Sequence, residues 1–363
     1  MKAIIITGCA GLIGNHLTRF FLKKGYKVIG IDNLSGGYLD LLPMEENFIF
    51  YQFSLEDADL SKEVFLTIKK EYNPLAVYHL AAYASEGLSP FIRHYNYTNN
   101  ILASVNVINA CIKYGWKIIF TSSMAVYGDQ TPPFTESMAP SPSDPYGIAK
   151  YAVEMDIKQA HDQFGLRYNI VRPHNVVGIY QNIWDIYRNV IGIFVKKTLN
   201  KEPMTIYGDG KQTRAFSDIK YILEPFYSLA ENHDNDTFNI GADKYYSINN
   251  ISDLFIEIAP KYGLEASKVH KEERHEVKHA FCDHTKAKEI LNFQDETDIK
   301  LLIHEMLEWS MTQPDREVKY MNYEINNGMY SYWQLDDTTK KEISEDNYSE
   351  IKTEYIDTNR PSR

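Results

Sequence analysis

Apolar residues early in the chain come in short unbroken runs separated by longer amphipathic stretches. Ala3-Ile4-Ile5-Ile6 is the first run, followed by Lys27 to Ile31, Phe48 to Phe53, Ala76 to Leu80 and Lys117 to Phe120. Runs of β-branched and aromatic residues without alternation predict strands buried on both faces. Between them, Leu12 to Lys24, Ser61 to Glu71 and Ile101 to Tyr114 predict helices, the first ended by Gly25. Strand and helix in alternation predict an α/β fold, a doubly wound parallel sheet covered on both sides. From about residue 175 the pattern loosens. Short strands (Met204 to Tyr207, Phe238 to Ile240) mix with helices (Ile251 to Ile258, Ile299 to Ser310), which predicts a smaller C-terminal α/β domain. The expected division is therefore 1–174, with late strands joining from about 211–245; then 175–312; then an acidic, Tyr- and Asn-rich extension over 313–363. That extension carries Asp336, Asp337, Glu342, Glu345, Asp346, Glu350, Glu354 and Asp357.

Charge narrows the possible partners. The 363 residues carry a net charge of −11, so the basic footprint that nucleic acid requires is missing and no nucleic-acid partner is expected. An acidic chain that binds an anion needs local cations, which directs attention to individual arginines. Cys9, Cys111 and Cys282 are too scattered for a disulfide framework or a metal site, and a reducing cytoplasm is expected. No apolar stretch reaches membrane-spanning length, and the N-terminal run is broken by glycines too early for a secretory signal.

Two motifs carry chemistry. Gly8-Cys9-Ala10-Gly11-Leu12-Ile13-Gly14 joins the first strand to the first helix. Glycines at Gly8, Gly11 and Gly14 let backbone approach a pyrophosphate at the helix N-terminus, so a Rossmann-type dinucleotide site is expected. Asp32 ends the second strand, where a carboxylate accepts hydrogen bonds from ribose hydroxyls and repels a 2′-phosphate; with no arginine following closely, NAD is the expected cofactor. Tyr146 and Lys150, at i and i+4, share one helix face, and Asp144-Pro145 suits the start of that helix. A free phenol has a pKa of about 10. A neighbouring ammonium favours the phenolate and fits Tyr146 to exchange a proton with a hydroxyl. Ser123 ends the fifth strand, where its hydroxyl can bridge to that phenol.

With Asp32-Asn33-Leu34, His79-Leu80-Ala81-Ala82, Asn99-Asn100, Ser122 to Gly128, Arg172-Pro173-His174-Asn175, Tyr207 to Gly210, Gln212-Thr213-Arg214 and Asp283 to Ala287, these motifs stand in a fixed order. So arranged, residues 1–312 resemble the extended short-chain dehydrogenase/reductases, the NAD-dependent nucleotide-sugar epimerases and dehydratases, and UDP-galactose 4-epimerase-like members most of all. The resemblance implies that Leu12, Ile13, Asn33, Ser54, Leu55, Leu80, Ala81, Ala82, Asn100 and Pro173 surround the cofactor with the glycines, Asp32, Tyr146 and Lys150. It implies that Ser123, Tyr146, Asn175, Asn189, Tyr207, Arg214 and Arg274 hold the nucleotide-diphosphate sugar, the two arginines on its phosphates. A homodimer through residues 91–114 and 146–164 is implied as well.

Within that family, dehydratases follow the Ser123-equivalent hydroxyl with an Asp-Glu pair, and 3,5-epimerases and decarboxylases carry a Cys or Glu at the second position. Here Met124 and Ala125 stand there. The surviving chemistry is oxidation at the sugar C4 and reduction on the opposite face, a 4-epimerisation of a UDP-hexose. A 4-dehydrogenase or 4-ketoreductase uses the same three residues and stays open, as does a non-catalytic NAD sensor. Glu86 replaces a residue usual in the loop facing the sugar, so it either touches substrate, serves as an extra base for a C3 or C5 reaction, or stands exposed. His174 is either a pocket hydrogen-bonder or a packed imidazole. By analogy, the small Ala280 leaves room for an N-acetyl group.

Overall fold

A computed structural model of the chain describes residues 1–273, 277–318, 321–330 and 333–334. Arg274 and the acids from Asp336 onward lie outside the described residues.

The strands run β1 (Ala3–Thr7), β2 (Lys27–Asp32), β3 (Phe48–Gln52), β4 (Ala76–His79), β5 (Lys117–Thr121), β6 (Tyr168–Pro173), β7 (Val176–Val177), β8 (Met204–Tyr207), β9 (Thr213–Ala215), β10 (Ser217–Asp218), β11 (Asp236–Ile240), β12 (Tyr245–Ser247), β13 (Lys268–Lys271) and β14 (His279–Ala280). The helices are α1 (Leu12–Lys23), α2 (Ala58–Glu71), α3 (Arg93–Tyr97), α4 (Ala103–Tyr114), α5 (Pro145–Phe164), α6 (Val190–Leu199), α7 (Ile219–Ser228), α8 (Ile248–Ile258), α9 (Thr285–Leu291) and α10 (Ile299–Met311). Seven strands form one parallel sheet in the order β11-β6-β5-β4-β1-β2-β3, a Rossmann-type α/β fold.

Why the strands are unbroken apolar runs is visible in their packing. Ile5, Ile29, Ile118 and Ile170 pack on one side with Val64, Phe65, Val107 and Val153. Ile4, Ile6, Val28 and Ile119 pack on the other with Phe21, Ile222, Phe226 and Phe238. Each strand thus alternates between two cores, and each fully buried side chain stabilises by about 1.5–3 kcal/mol. A separate cluster of Ile191, Phe194, Met204, Ile206, Phe255, Leu302 and Met306 holds the later elements together.

Two helix starts differ from the sequence expectation. α2 begins at Ala58 rather than Ser61, because the Asp57 carboxylate accepts the N–H groups of Asp59 and Leu60 at 3.1 and 3.0 Å. The helix expected from Ile101 begins at Arg93, and a wide π turn over Thr98–Leu102 links α3 to α4. At α5, the Asp144 carboxylate accepts the Gly147 N–H at 2.9 Å and Pro145 takes the first helical position.

The sheet order reverses between β1 and β4, and the crevice beyond the strand ends at such a point is where α/β sheets bind ligands. The two strand ends touch there: a Cβ added to Gly8 would lie 2.7 Å from the Ala81 nitrogen.

Candidate active site

A cleft of about 910 Å³ opens over this switch point and continues towards the later elements. Its first wall is the glycine turn. Gly8 has φ +71° and a Cβ on Gly14 would sit 2.0 Å from the Gly8 carbonyl oxygen, so both positions need glycine. Gly11 caps α1 without any side-chain hydrogen bond, which leaves first-turn N–H groups to meet an anion. Asp32, at the tip of β2, accepts the Ala10 and Leu34 N–H groups at 2.9 and 2.8 Å. Burial raises its carboxyl pKa, opposed by those hydrogen bonds and by the Arg188 guanidinium. A dinucleotide pyrophosphate and ribose fit this combination of bare helix N-terminus and strand-end carboxylate.

Tyr146, Lys150 and Ser123 meet at the centre of the cleft. Lys150 Nζ donates to the Thr121 carbonyl oxygen at 2.8 Å and lies 5.8 Å from the Tyr146 ring centre. Burial lowers its pKa to about 7, partly opposed by Glu154 one helical turn on. Ser123 ends the segment after β5, and its Oγ accepts the Ala125 N–H at 3.1 Å. The Tyr146 phenol is pushed above its ordinary pKa by burial first and by the Glu86 carboxylate second. The hydrogen bond with Ser123 and the Arg188 charge pull it down. The expected lowering is therefore not met in the protein alone, because desolvation of a buried phenolate exceeds the help from Ser123 and Arg188.

Behind these residues lies a buried polar chain. Ser122 Oγ donates to Glu154 Oε1 at 2.5 Å, and Arg172 donates to both Glu154 oxygens at 2.8 and 2.5 Å. Arg172 also donates to the Tyr127 hydroxyl, which in turn donates to Asn239, each at 2.8 Å. This network ties α5 to β5, β6 and β11 and so holds Tyr146 over the strand ends.

Most of the residues singled out from sequence line the cleft: Gly8, Gly11, Leu12, Ile13, Gly14, Asp32, Asn33, Leu55, Leu80, Ala81, Ala82 and Pro173 around the dinucleotide end. Glu86, Asn175, Asn189, Tyr207 and Arg214 line the remainder. Asn100 does not. Its side chain accepts the Tyr83 N–H at 2.8 Å and donates to the Tyr83 carbonyl at 3.1 Å, bracing the loop after β4, while Asn99 reaches the cleft. Ser54 also stands back, within 3.3 Å of the Asn33 amide. Ala280 is buried among Val126, Tyr127, Phe134 and Cys282, so its size does not set the room for a substituent. His174 is a packed imidazole. It stacks on His284 at 5.1 Å with Nε2 atoms 2.9 Å apart, and burial lowers its pKa to about 3.

Sequence reasoning passed over Arg188, Lys197, the Gly36-Gly37 loop and Trp333. Arg188 pairs with Asp185 at 2.8 Å, lies 4.5 Å over the Tyr83 ring and sits so close to Gly36 that a Cβ there would be 2.5 Å from its Nη2. Among the described residues lining the cleft, Lys150, Arg188, Lys197 and Arg214 outnumber Asp32 and Glu86. That answers the need of an acidic chain for local cations. At the far end Asn189 caps α6, accepting the Ile191 N–H at 3.0 Å, so a second helix N-terminus faces the cleft. Asn175 is held at φ 41°, and among the described residues its buried Nδ2 has no hydrogen-bond partner. A strained residue with a spare donor in a cleft suits an anionic or hydroxylated ligand. No group of three or more potential metal ligands occurs among the described residues.

The profile of the NAD dependent epimerase/dehydratase family matches residues 4–241. A UDP-glucuronate 4-epimerase from Thermodesulfobacterium geofontis is 31% identical over 323 residues, 85% of this chain and 96% of that protein. The solved UDP-glucose 4-epimerase from Thermotoga maritima, with UDP-glucose, is 32% identical with a TM-score of 0.79 and covers 85% of this chain and 99% of that one. A UDP-N-acetylglucosamine 4-epimerase from Methanobrevibacter ruminantium, in complex with UDP-N-acetylmuramic acid, is 33% identical with a TM-score of 0.77, covering 86% and 99%. Both solved chains are thus matched almost end to end, while a stretch of this chain about the size of residues 313–363 is left over.

Proposed function

Because the chain belongs to the NAD dependent epimerase/dehydratase family, we propose that it inverts C4 of a UDP-hexose, with NAD as resident cofactor. The observation that carries this is the meeting of Tyr146, Lys150 and Ser123 in a cleft that runs from the uncapped N-terminus of α1 to the N-terminus of α6. NAD, which the glycine turn and Asp32 would hold, would supply the hydride acceptor and donor for the sugar C4. The chain's own residues do the rest. Tyr146 accepts the 4-hydroxyl proton and gives it back, with the Ser123 hydroxyl lowering the phenol pKa and Lys150 beneath the ring. Arg214, Lys197 and the first turn of α6 neutralise the diphosphate, and Asn175 and Asn189 position it. Held by its diphosphate, the hexose can turn over in the cleft and bring its 4-oxygen back to the same phenol.

Met124 and Ala125, buried in the turn after Ser123, offer no acid or base for dehydration or decarboxylation. Leu102, Ile148 and Met155 expose apolar side chains on the helices expected to pair in a homodimer. The test is incubation with UDP-glucose, UDP-N-acetylglucosamine, UDP-glucuronate and GDP-mannose without added NAD, followed by proton NMR and absorbance of NADH. C4 inversion without net NADH, lost in Tyr146→Phe, is expected. Accumulating NADH with a keto sugar would make the protein a dehydrogenase instead. Deuterium entering C3 or C5 from heavy water, and lost in Glu86→Gln, would assign Glu86 the role of a base.

A further inference from the structure

Described residues after α10 pack back onto the elements around the cleft. Asp315 pairs with Lys196 at 2.8 Å, and Arg316 pairs with Asp40 at 2.6 Å while its guanidinium lies 3.9 Å over Tyr38. Farther on, Glu324 accepts the His94 and Tyr95 N–H groups at 2.7 and 2.8 Å, its own N–H donates to the Phe91 carbonyl at 2.8 Å, and the Tyr323 and Tyr187 hydroxyls are 2.6 Å apart. The extension is therefore pinned both beside α6 and at the start of α3. Trp333 then packs edge-on against Tyr187, Tyr330 and Phe91, with ring centres at 5.4, 5.5 and 6.3 Å, and is 8% exposed.

Trp333 and Gln334 line the cleft together with Glu86, Gly87 and Tyr187. A Cβ on Gly87 would come within 3.3 Å of the indole Cη2, so the ring rests on the loop after β4. That loop is tied to the catalytic tyrosine: Ser89 Oγ accepts the Tyr146 N–H at 3.2 Å, and the Glu86 charge acts on the Tyr146 phenol. The indole thus rests on the loop that carries Glu86, whose charge acts on the catalytic phenol.

We propose that the C-terminal extension completes the substrate site and that Trp333 is its specificity-determining residue, the wall against which the hexose ring packs. This rests on the nucleotide-sugar reading above. An aromatic wall suits a ring that must turn over within one site, because contact between indole and sugar C–H groups is apolar and weakly directional. A polar wall would hold one epimer and disfavour the turned ring. The partner class is an uncharged hexosyl group rather than the nucleotide.

The test compares full-length wild type, Trp333→Ala and Trp333→Phe, each checked for folding by thermal melting. The affinity for UDP and for UDP-glucose or UDP-N-acetylglucosamine is measured by calorimetry, and KM and kcat by coupled assay. Trp333→Ala is expected to weaken UDP-sugar binding about tenfold while UDP affinity stays within about twofold. Trp333→Phe recovers most of the loss. Gly87→Val, which crowds the indole without removing it, is expected to act in the same direction and keeps the test open if Trp333→Ala unfolds. Equal changes for UDP and UDP-sugar, or no change in either, would overturn the proposal. Wild-type protein that binds UDP-sugars but does not epimerise them would overturn the function and leave the wall standing, so the two failures are distinguishable.

Discussion

Lys150→Met is expected to make the NAD-stripped protein more stable while removing most of its activity. Lys150 is buried, donates to the Thr121 carbonyl, and has a pKa lowered from 10.5 to about 7. Its folded-state pKa lies below the unfolded one, so the folded state binds fewer protons between those values. Below about pH 7 the full cost of burying the charge is present, and it is relieved as pH rises towards 10.5. A shift of this size corresponds to a ceiling of roughly 5 kcal/mol. Methionine also forfeits the bond to Thr121 and leaves a buried carbonyl unpaired, which costs about 1–3 kcal/mol. A net gain of about 2 kcal/mol at pH 6 follows, shrinking as pH rises. Urea unfolding of both proteins at intervals from pH 6 to pH 9 measures it. The activity should fall by about 10²–10⁴. A variant that is less stable at pH 6, or a difference that does not change with pH, would refute the account of Lys150 as a strained cation.

Glu86→Gln removes a charge that raises the Tyr146 pKa, so the limb of the kcat/KM profile that requires phenolate should move about half a unit to one unit towards acid; an unmoved limb would show that the phenol does not sense Glu86. Arg172→Met leaves the buried Glu154 carboxylate uncompensated and should cost about 3–5 kcal/mol in denaturant titration, with Glu154→Gln added to it restoring part of the loss. Gly8→Ala forces a side chain into φ +71° and against Ala81, so the purified protein should carry little bound NAD, measured by release on denaturation.

The Rossmann sheet was legible because each strand faces two cores. Ile4, Ile5 and Ile6 are buried on alternate sides, and nothing but an unbroken apolar run satisfies that. Helix starts were less legible, since a single acid decides them. Asp57 accepts two N–H groups and moves the start of α2 by three residues, while in the sequence it is one acid among Glu56, Asp57 and Asp59. The residues of the dinucleotide turn were readable for the same reason as the strands: geometry there admits only glycine at Gly8 and Gly14. Asn100 marks the limit. It stands beside Asn99 in sequence, and only the wide π turn decides that Asn100 braces Tyr83 while Asn99 faces the cleft.

The two sides of the cleft are built by different means, and this explains why one could be read and the other could not. On the catalytic side, Lys150 bonds to the last residue of β5, and Ser122 and Arg172 clasp Glu154 on α5, so each functional group is fixed by a regular element with a sequence period. The opposite wall has no period. Glu324 meets His94 at a separation of 230 residues, and Trp333 finds Gly87 and Phe91 across the molecule. Such a wall depends on a few long-range anchors, at Asp315, Arg316 and Glu324, none of which touches Tyr146, Lys150 or Ser123. Substitutions in the extension can therefore reshape that wall, and their route to Tyr146 runs through the loop after β4, by way of the Ser89–Tyr146 hydrogen bond. The sugar discrimination proposed for the extension therefore acts one loop away from the chemistry at the sheet.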